Sequence, residues 1–327
     1  MSKVINQKHN ENYSLYHSDC MYVLPTLDSE SIDLSVYSPP FAGLYNYSSH
    51  DNDFSNCETR DQFLQQYEFL IKEVARVTKP GRITAVHITD IHEPDGSLWD
   101  FPHEVKLMHK KHGFKHMNTI TIWKEPLKVR MRTMVRSLMH KLIVEDSTEC
   151  FTAMPDYLLI FKKKGENLVP VTHPVGLKHY AGANPILPEM LEKYGTFEQL
   201  NAKYEGHKDP KTNKLSHIIW QRYASSVWDD IRIDEVLKFK ESKDEDDEKH
   251  VHPLQLDVID RIVELYSNPG EVVLTPFMGV GSEVYSPVSM GRNAIGIELK
   301  ESYYNQAVKN LKDVTNRFKD NQVSLFD

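Results

Sequence analysis

An apolar run at residues 32–37 ends directly in Ser38-Pro39-Pro40-Phe41, and this junction constrains the fold more than any other segment. Two successive prolines fix two φ angles and remove two backbone donors, so the turn is rigid. The apolar run predicts a buried strand, and open α/β sheets bind their ligands at the carboxyl ends of strands. The turn would present a hydroxyl, a free carbonyl and an aromatic ring, which suit a planar base that carries an amino group.

A second junction of this kind lies near the other end of the chain, where the segment TPFMGVGS occupies residues 275–282. It follows an apolar run and precedes a helix-like stretch, and its glycines would let the backbone approach a ligand closely. The next predicted strand ends on Glu298, where an acid holds ribose hydroxyls in folds of this type. Because the glycine spacing is shorter than the dinucleotide fingerprint, it favours a nucleoside cofactor without a pyrophosphate.

Together the two motifs resemble those of the S-adenosylmethionine-dependent amino-methyltransferases of DNA, which modify cytosine N4 or adenine N6. Their order, with the catalytic motif first and the cofactor loop last, is similar to the β group of these enzymes. The resemblance implies an α/β, Rossmann-like methyltransferase fold that is circularly permuted and carries an inserted target-recognition region. We expect a catalytic half with a basic DNA-facing segment (1–164), a target-recognition region with an acidic linker (165–249) and a cofactor-binding half (250–327).

The resemblance also assigns site residues. Its catalytic motif corresponds to Ser38, Pro39, Pro40 and Phe41. The residues that it assigns to S-adenosylmethionine are Asp19, His252, Thr275, Phe277, Gly279, Gly281, Ser282 and Glu298. Thr275 departs from the family, which usually carries an acid there, and a threonine offers no charge to a cationic ligand. We therefore expect weaker cofactor binding, with activity retained because the other motif residues remain.

The family's chemistry implies direct methyl transfer to a base that is flipped out of the duplex. Phe41 would stack on the base, while the Ser38 hydroxyl and the Pro39 carbonyl would accept the amino protons. No cysteine adjoins the motif, which argues against C5 methylation by thiolate attack. Serine at the first motif position favours cytosine N4, with adenine N6 as the alternative. A catalytically weak DNA-binding module and an RNA or protein methyltransferase are further alternatives.

The charge distribution indicates contact with DNA although the net charge is −8. Seven lysines and three arginines lie between residues 106 and 141, against one acid. Such a segment neutralises phosphates without reading sequence, and a solvated basic face is the alternative. If this part is helical, Arg132, Arg136 and His140 share one face. The predicted DNA-binding residues are Lys128, Arg130, Arg132, Arg136, Tyr45 and Tyr47, the two tyrosines lying in a polar loop expected to be mobile.

The cysteines, the apolar runs and the histidines bear on the cellular compartment and on metal binding. Three widely spaced cysteines predict free thiols in a reducing cytoplasm. No apolar run is long enough to cross a membrane. A histidine cluster at residues 103–116 is interrupted by Gly113 and by lysines, so no metal is predicted. The resemblance implies double-stranded DNA as a partner and allows a homodimer and a cognate restriction endonuclease.

Short apolar or β-branched runs predict strands, and apolar residues at helical spacing predict helices. The predicted strands are 14–17, 32–37, 83–88, 118–123, 157–161, 272–274 and 293–297, and the predicted helices are 60–77, 254–266 and 283–290. Residues 165–249 carry prolines and only weak periodicity, and residues 241–248 are acidic like a mobile linker.

Overall fold

The structure is a computed structural model, which describes residues 4–40, 57, 59–93, 95–239, 242, 253–312 and 314. The strands in this part of the chain are β1 (Asn6–His9), β2 (Tyr13–His17), β3 (Ile32–Tyr37), β4 (Thr78–Ile88), β5 (Ile91–His92), β6 (Leu98–Trp99), β7 (Phe114–Ile122), β8 (Asp156–Lys163), β9 (Val227–Trp228), β10 (Val272–Thr275) and β11 (Asn293–Glu298). The helices are α1 (Cys20–Val23), α2 (Arg60–Val77), α3 (Phe101–Lys111), α4 (Pro126–Thr133), α5 (Lys141–Glu145), α6 (Leu191–Tyr194), α7 (Phe197–Tyr204), α8 (Lys214–Tyr223), α9 (Leu256–Tyr266), α10 (Ser282–Ser289) and α11 (Glu301–Asn310).

A mixed sheet organises the described part of the chain, with nine strands in the order β1-β2-β11-β10-β3-β4-β8-β7-β9. The five strands from β2 to β4 in this order run parallel, whereas β8 runs antiparallel to both of its neighbours. The last two described strands, β10 and β11, lie between β2 and β3. The carboxyl ends of β3 and β10 are therefore adjacent at the centre of the sheet.

Helices cover both faces of the sheet, which explains why all six residues of β3 are buried. Leu34 and Val36 belong to the apolar core that includes α9. Tyr37 belongs to the opposite core, which includes α2 and α3. Helix α2 begins where the Thr59 side chain accepts a hydrogen bond from the Gln62 amide at 3.2 Å. The structure confirms the predicted bounds of β3 and α2.

Asp33 joins the amino ends of the three central strands. Its carboxylate, in a residue only 4% exposed, accepts hydrogen bonds from the Val272 amide at 3.0 Å and from Lys79 Nζ at 2.6 Å. Arg82 donates from Nε to the Asp33 carbonyl at 3.0 Å and pairs with Glu271. Polar contacts thus tie β3, β4 and β10 together at the end of the sheet opposite the two sequence motifs.

The segment between residues 165 and 239 contains a helical lobe, although its sequence periodicity is weak. Helices α7 and α8 enclose a small apolar core that includes Leu200 and Ile219. Arg261 of α9 is fully buried beside this lobe and donates to the Ala181 carbonyl at 2.7 Å and to Asp230 at 2.8 Å. Its guanidinium carbon also lies 4.8 Å from the centre of the Trp228 ring. The lobe is therefore anchored to α9.

Three predictions from the sequence are wrong at the level of local structure. Strand β7 begins at Phe114 rather than at residue 118. Strand β4 begins at Thr78 rather than at residue 83, because Thr78 already pairs with Ile32 before a register shift. Helix α4 ends at Thr133, since Met134 adopts a left-handed φ of 55°. Residues 136–138 then form a separate 3₁₀ turn, so Arg132, Arg136 and His140 do not share one continuous helical face.

The histidine cluster is dispersed in the structure. His109 stacks on Phe161 with ring centres 3.9 Å apart, and burial lowers its pKa to about 3. His112 bonds to Glu68 and His116 to Thr119. Within the described ranges, no group of three histidine, cysteine or acidic side chains is arranged to hold a metal ion. No helix there is long and apolar enough to cross a bilayer.

Asp33 offers a direct test of how the central strands are held. We expect Asp33→Ala to lower the free energy of unfolding by about 3 kcal/mol, because it removes the acceptor of the Val272 amide and of Lys79 Nζ, together with the negative charge 3.8 Å from buried Arg82. Asp33→Asn should lower the free energy of unfolding by less, since an amide oxygen can still accept a hydrogen bond from the Val272 amide. Guanidinium denaturation measures both, with exposed Asp28→Ala as the control. A loss for Asp33→Ala equal to that of the control would contradict this role.

Candidate active site

A cavity of about 1420 Å³ opens at the carboxyl ends of β3, β4, β10 and β11. Pockets for single small ligands usually measure about 300–1,000 Å³, so this cavity has room for a cofactor and a base together. It brings together residues from both ends of the sequence. The predicted site residues that line it are Asp19, Ser38, Pro39, Pro40, Lys128, Arg132, Phe277, Gly279, Ser282 and Glu298.

Other predicted site residues do not line the cavity or are not described. Thr275 is fully buried at the end of β10, and its hydroxyl has no hydrogen-bond partner among the described residues. Gly281, Arg130 and Arg136 are also absent from the cavity wall. Phe41, Tyr45, Tyr47 and His252 lie outside the described residues.

The glycine turn after β10 holds Glu298 in a defined orientation. The Glu298 carboxylate accepts hydrogen bonds from the amides of Gly279 and Lys300, each at 2.8 Å. Gly279 has a φ of +53° with open space where a side chain would point, and Gly281 has a φ of +97° against Ala307. The backbone is therefore free to approach a ligand at Gly279, beside an acid that the amides have already oriented.

Aromatic and backbone contacts bring the two sequence motifs together. The rings of Tyr37 and Phe277 meet edge to face, with centres 6.0 Å apart. This contact joins the residue before the Ser38 turn to the glycine turn. On the other side, the Ser18 amide donates to the Glu298 carbonyl at 2.9 Å, which places Asp19 beside Glu298. Asp19 also caps α1 by accepting from the Met21 amide at 2.8 Å.

A charged cluster that sequence reasoning missed lies near the Ser38 turn. His87, Lys124 and Asp156 all line the cavity. Lys124 Nζ lies 2.5 Å from the Asp156 carboxylate, and His87 Nε2 lies at an ion-pair distance of 3.2 Å from it. Burial alone would raise the pKa of Asp156, but Lys124 and His87 lower it well below the usual range. Asp156 is therefore an ionised carboxylate within the cavity.

The positions of this cluster carried a signal in the sequence. Lys124 directly follows one predicted strand, and Asp156 directly precedes another. In the sheet β8 runs antiparallel to β4 and β7, so the amino end of β8 meets the carboxyl ends of its neighbours. That pairing could not be read from either strand alone.

Glu283 is a second acid that the sequence did not single out. It lies in the first turn of α10, lines the cavity and is only 5% exposed. Burial, together with the nearby charge of Glu298, raises the pKa of Glu283 to about 8. The hydroxyl of neighbouring Ser282 is also buried and has no partner among the described residues.

These residues fit a nucleoside cofactor that carries a charged amino acid. An acid oriented by two amides, a glycine turn open to close approach and the unpartnered Ser282 hydroxyl lie along one wall. The wall with Ser38 has polar groups suited to a base.

Comparison with protein families identifies the chain. The model of a family described as DNA methylase, for N6 and N4 methyltransferases, matches residues 32–309. The chain belongs to the N6/N4 DNA methylase family. The predicted family, the enzyme class of S-adenosylmethionine-dependent DNA amino-methyltransferases and the cofactor are thereby confirmed.

Individual proteins are similar to the chain over most of its length. The type II methyltransferase M.BglII of Bacillus subtilis is 25% identical over 315 residues, which cover 93% of this chain and 71% of M.BglII. The fold is similar to that of the PvuII DNA methyltransferase, described as cytosine-N4-specific, with a TM-score of 0.59, 14% identity and coverage of 98% and 94%. A Thermus thermophilus protein described as a DNA modification methylase, solved in complex with S-adenosyl-L-methionine, gives a TM-score of 0.57 at 20% identity, with coverage of 93% and 96%.

The bonds to Glu298 predict its effect on cofactor binding. Glu298→Gln keeps the shape but places an NH₂ group where one of two amides now donates. We expect S-adenosylmethionine to bind roughly 10–100-fold more weakly, because bonds to a charged acceptor are worth about 1.5–3 kcal/mol. Isothermal titration calorimetry measures the affinity, with exposed Glu301→Gln as the control. Unchanged affinity in Glu298→Gln would show that this acid does not hold the cofactor.

Proposed function

We propose that this enzyme methylates the N4 amino group of cytosine at specific sites in double-stranded DNA. The observation that carries the proposal is the position of Ser38, whose rigid turn lines the same cavity as the glycine turn and Glu298. A serine hydroxyl at the first motif position is the feature that favours cytosine. N6 methylation of adenine is the alternative, since the cavity is large enough for a purine.

The chain's own residues would orient the base for direct transfer. The cofactor supplies an electrophilic methyl group on a sulfonium. The Ser38 hydroxyl and the Pro39 carbonyl accept hydrogen bonds from the two amino protons, which turns the nitrogen lone pair out of the ring plane and towards the methyl carbon. Ser38 and Pro39 would hold the amino group in this orientation until it is methylated, and the proton that the nitrogen then loses would pass to solvent water. Positioning accounts for most of the rate in such a step.

We infer a circularly permuted methyltransferase fold from the order of the strands. The glycine turn that follows β10 comes last in the chain, although β10 lies at the centre of the sheet. We propose three functional segments with the boundaries 1–164, 165–249 and 250–327. In this arrangement the helical lobe anchored by Arg261 is the target-recognition region. A homodimer and a cognate restriction endonuclease remain predictions from the family.

The DNA would approach over the basic segment at the mouth of the cavity. Lys128 and Arg132 line the cavity and are exposed. Arg130 and Arg136 lie outside the cavity wall, where they would contact flanking phosphates. Phe41 would stack on the flipped base, and Tyr45 and Tyr47 would touch the base or its neighbours.

The base preference predicts a defined reaction product. Unmethylated duplex DNA incubated with the protein and S-adenosylmethionine should yield N4-methylcytosine when its nucleosides are analysed by mass spectrometry. Detection of N6-methyladenine instead would support the same mechanism with adenine as the target base. Absence of product on DNA, with cofactor binding intact, would favour an RNA substrate or a DNA-binding module without catalysis.

Ser38 should act on turnover rather than on cofactor binding. We expect Ser38→Ala to lower kcat about 100-fold, similar to the loss of one well-placed hydrogen-bonding group in other enzymes, while the Kd for S-adenosylmethionine stays near the wild-type value. Single-turnover kinetics and calorimetry measure the two quantities. Equal turnover in the variant and the wild type would remove Ser38 from the mechanism.

The basic residues at the cavity mouth should control the salt dependence of DNA binding. Removing two phosphate contacts in Lys128→Ala/Arg132→Ala is expected to reduce the log–log slope of affinity against salt by about 2. The charge-matched control is Lys72→Ala/Lys309→Ala, two exposed residues that do not line the cavity. Gel shifts across a salt series measure the slope, and an equal decrease in both variants would indicate a general charge effect.

A further inference from the structure

The glycine turn lacks the acid that the family resemblance places before it, but an acid lies just after it. Thr275 ends β10 and is buried away from the cavity. Glu283, in the first turn of α10, lines the cavity at the other end of the same turn. The turn closes on itself through the Gly281 amide, which donates to the Met278 carbonyl at 2.9 Å. The chain therefore has one carboxyl group at this turn. It lies after the turn and lines the cavity, whereas the acid of the family lies before the turn.

No partner in the described part of the structure explains why Glu283 is buried there. No basic side chain among the described residues lies within ion-pair distance of it, and the residue is only 5% exposed. A carboxyl group in such a place costs stability unless it meets a cation or stays protonated. Ser282, beside it, also has a buried hydroxyl without a described partner. The Glu283 carboxyl group, which accepts from its own main-chain amide, and the unpartnered Ser282 hydroxyl thus lie side by side on the cavity wall without a cation among the described residues.

We propose that Glu283 binds the α-ammonium group of S-adenosylmethionine and replaces the acid that is missing at Thr275. The adenosine end of the cofactor is assigned to the wall with Asp19 and Glu298, and the amino acid end would then extend past Gly279 to Ser282 and Glu283. The Ser282 hydroxyl is placed to donate to the carboxylate of the same amino acid. This inference rests on the cofactor of the family and does not depend on which base is methylated.

The charges around Glu283 determine its protonation before the cofactor binds. Burial, together with the like charge of Glu298 on β11, raises the pKa of Glu283 to about 8, so we expect the carboxyl group to be protonated at pH 6.5. On neighbouring α9, Asp257 is paired with Arg232 and Arg261 with Asp230, and β10 contributes no titratable group. Binding of an ammonium group requires the ionised carboxylate, so one proton should leave Glu283 as the cofactor binds.

Calorimetry with three ligands tests which group Glu283 binds. S-adenosylmethionine carries the ammonium and the sulfonium, S-adenosylhomocysteine carries the ammonium alone, and 5′-methylthioadenosine carries neither. We expect Glu283→Gln to lower the affinity for S-adenosylmethionine and for S-adenosylhomocysteine roughly 10–100-fold, as for the loss of other charge-assisted hydrogen bonds. The affinity for 5′-methylthioadenosine should stay unchanged. A loss confined to S-adenosylmethionine would assign Glu283 to the sulfonium and overturn the proposal. Equal losses for all three ligands would overturn it by showing that Glu283 only shapes the turn.

Proton release provides a readout that a structural role would not change. At pH 6.5, titrations in buffers of different ionisation enthalpy should show about one proton released by the wild type on binding S-adenosylmethionine, and none by Glu283→Gln. Glu301→Gln, an exposed acid in the first turn of α11, is the matched control and should resemble the wild type. Equal proton release in Glu283→Gln and the wild type would contradict the proposal.

The stability of the cofactor-free protein separates a binding role from a packing role. Because Glu283 is a buried acid without a described cationic partner, Glu283→Gln should unfold at a temperature equal to or above that of the wild type. A clearly lower Tm in the variant would identify Glu283 as a packing residue and overturn the proposal. Failure of the wild type to bind S-adenosylmethionine would instead contradict the family's cofactor, so the two failures are distinguishable.

Discussion

The parallel pairing of β3 with β10 is the constraint on which the active site depends. The two strands come from opposite ends of the chain, and the hydrogen bond from Val272 to Asp33 joins residues 239 positions apart. Each strand delivers one motif to the same edge of the sheet, and neither motif forms a cavity alone. The Asp33 contacts at one end and the Tyr37–Phe277 contact at the other show that polar and aromatic interactions support this pairing along its length.

Two kinds of acid coexist in the cavity, and their protonation differs because their neighbours differ. Asp156 is buried but lies beside Lys124 and His87, so it stays ionised. Burial and the like charge of Glu298 raise the pKa of Glu283 to about 8. Burial disfavours charge in both cases, and the sign of the nearest charge decides the outcome. Perturbed pKa values of this kind gather at functional sites, in agreement with the position of this cavity.

The sequence predicted those parts of the structure that have local signals. Strand β3 and helix α2 were predicted at their observed bounds, because a buried run and a regular apolar spacing are visible within a few residues. The glycine turn and Glu298 were also found where expected. The break at Met134, the early start of β4 and the cluster around Asp156 depend on pairing between distant segments. The helical lobe was missed for a similar reason, since part of its burial is contributed by Arg261 from another segment.

The position of β10 in the sheet also affects how the protein is made. A ribosome adds roughly 5–20 residues per second, so about 10–50 s separate the synthesis of β3 from that of β10. During this interval the apolar edge of β3 has no native partner on that side, and α9 has not yet been made to cover the adjacent face. Exposed strand edges of this kind attract other chains. The native edge of β3 therefore stays unpaired until β10 has left the ribosome.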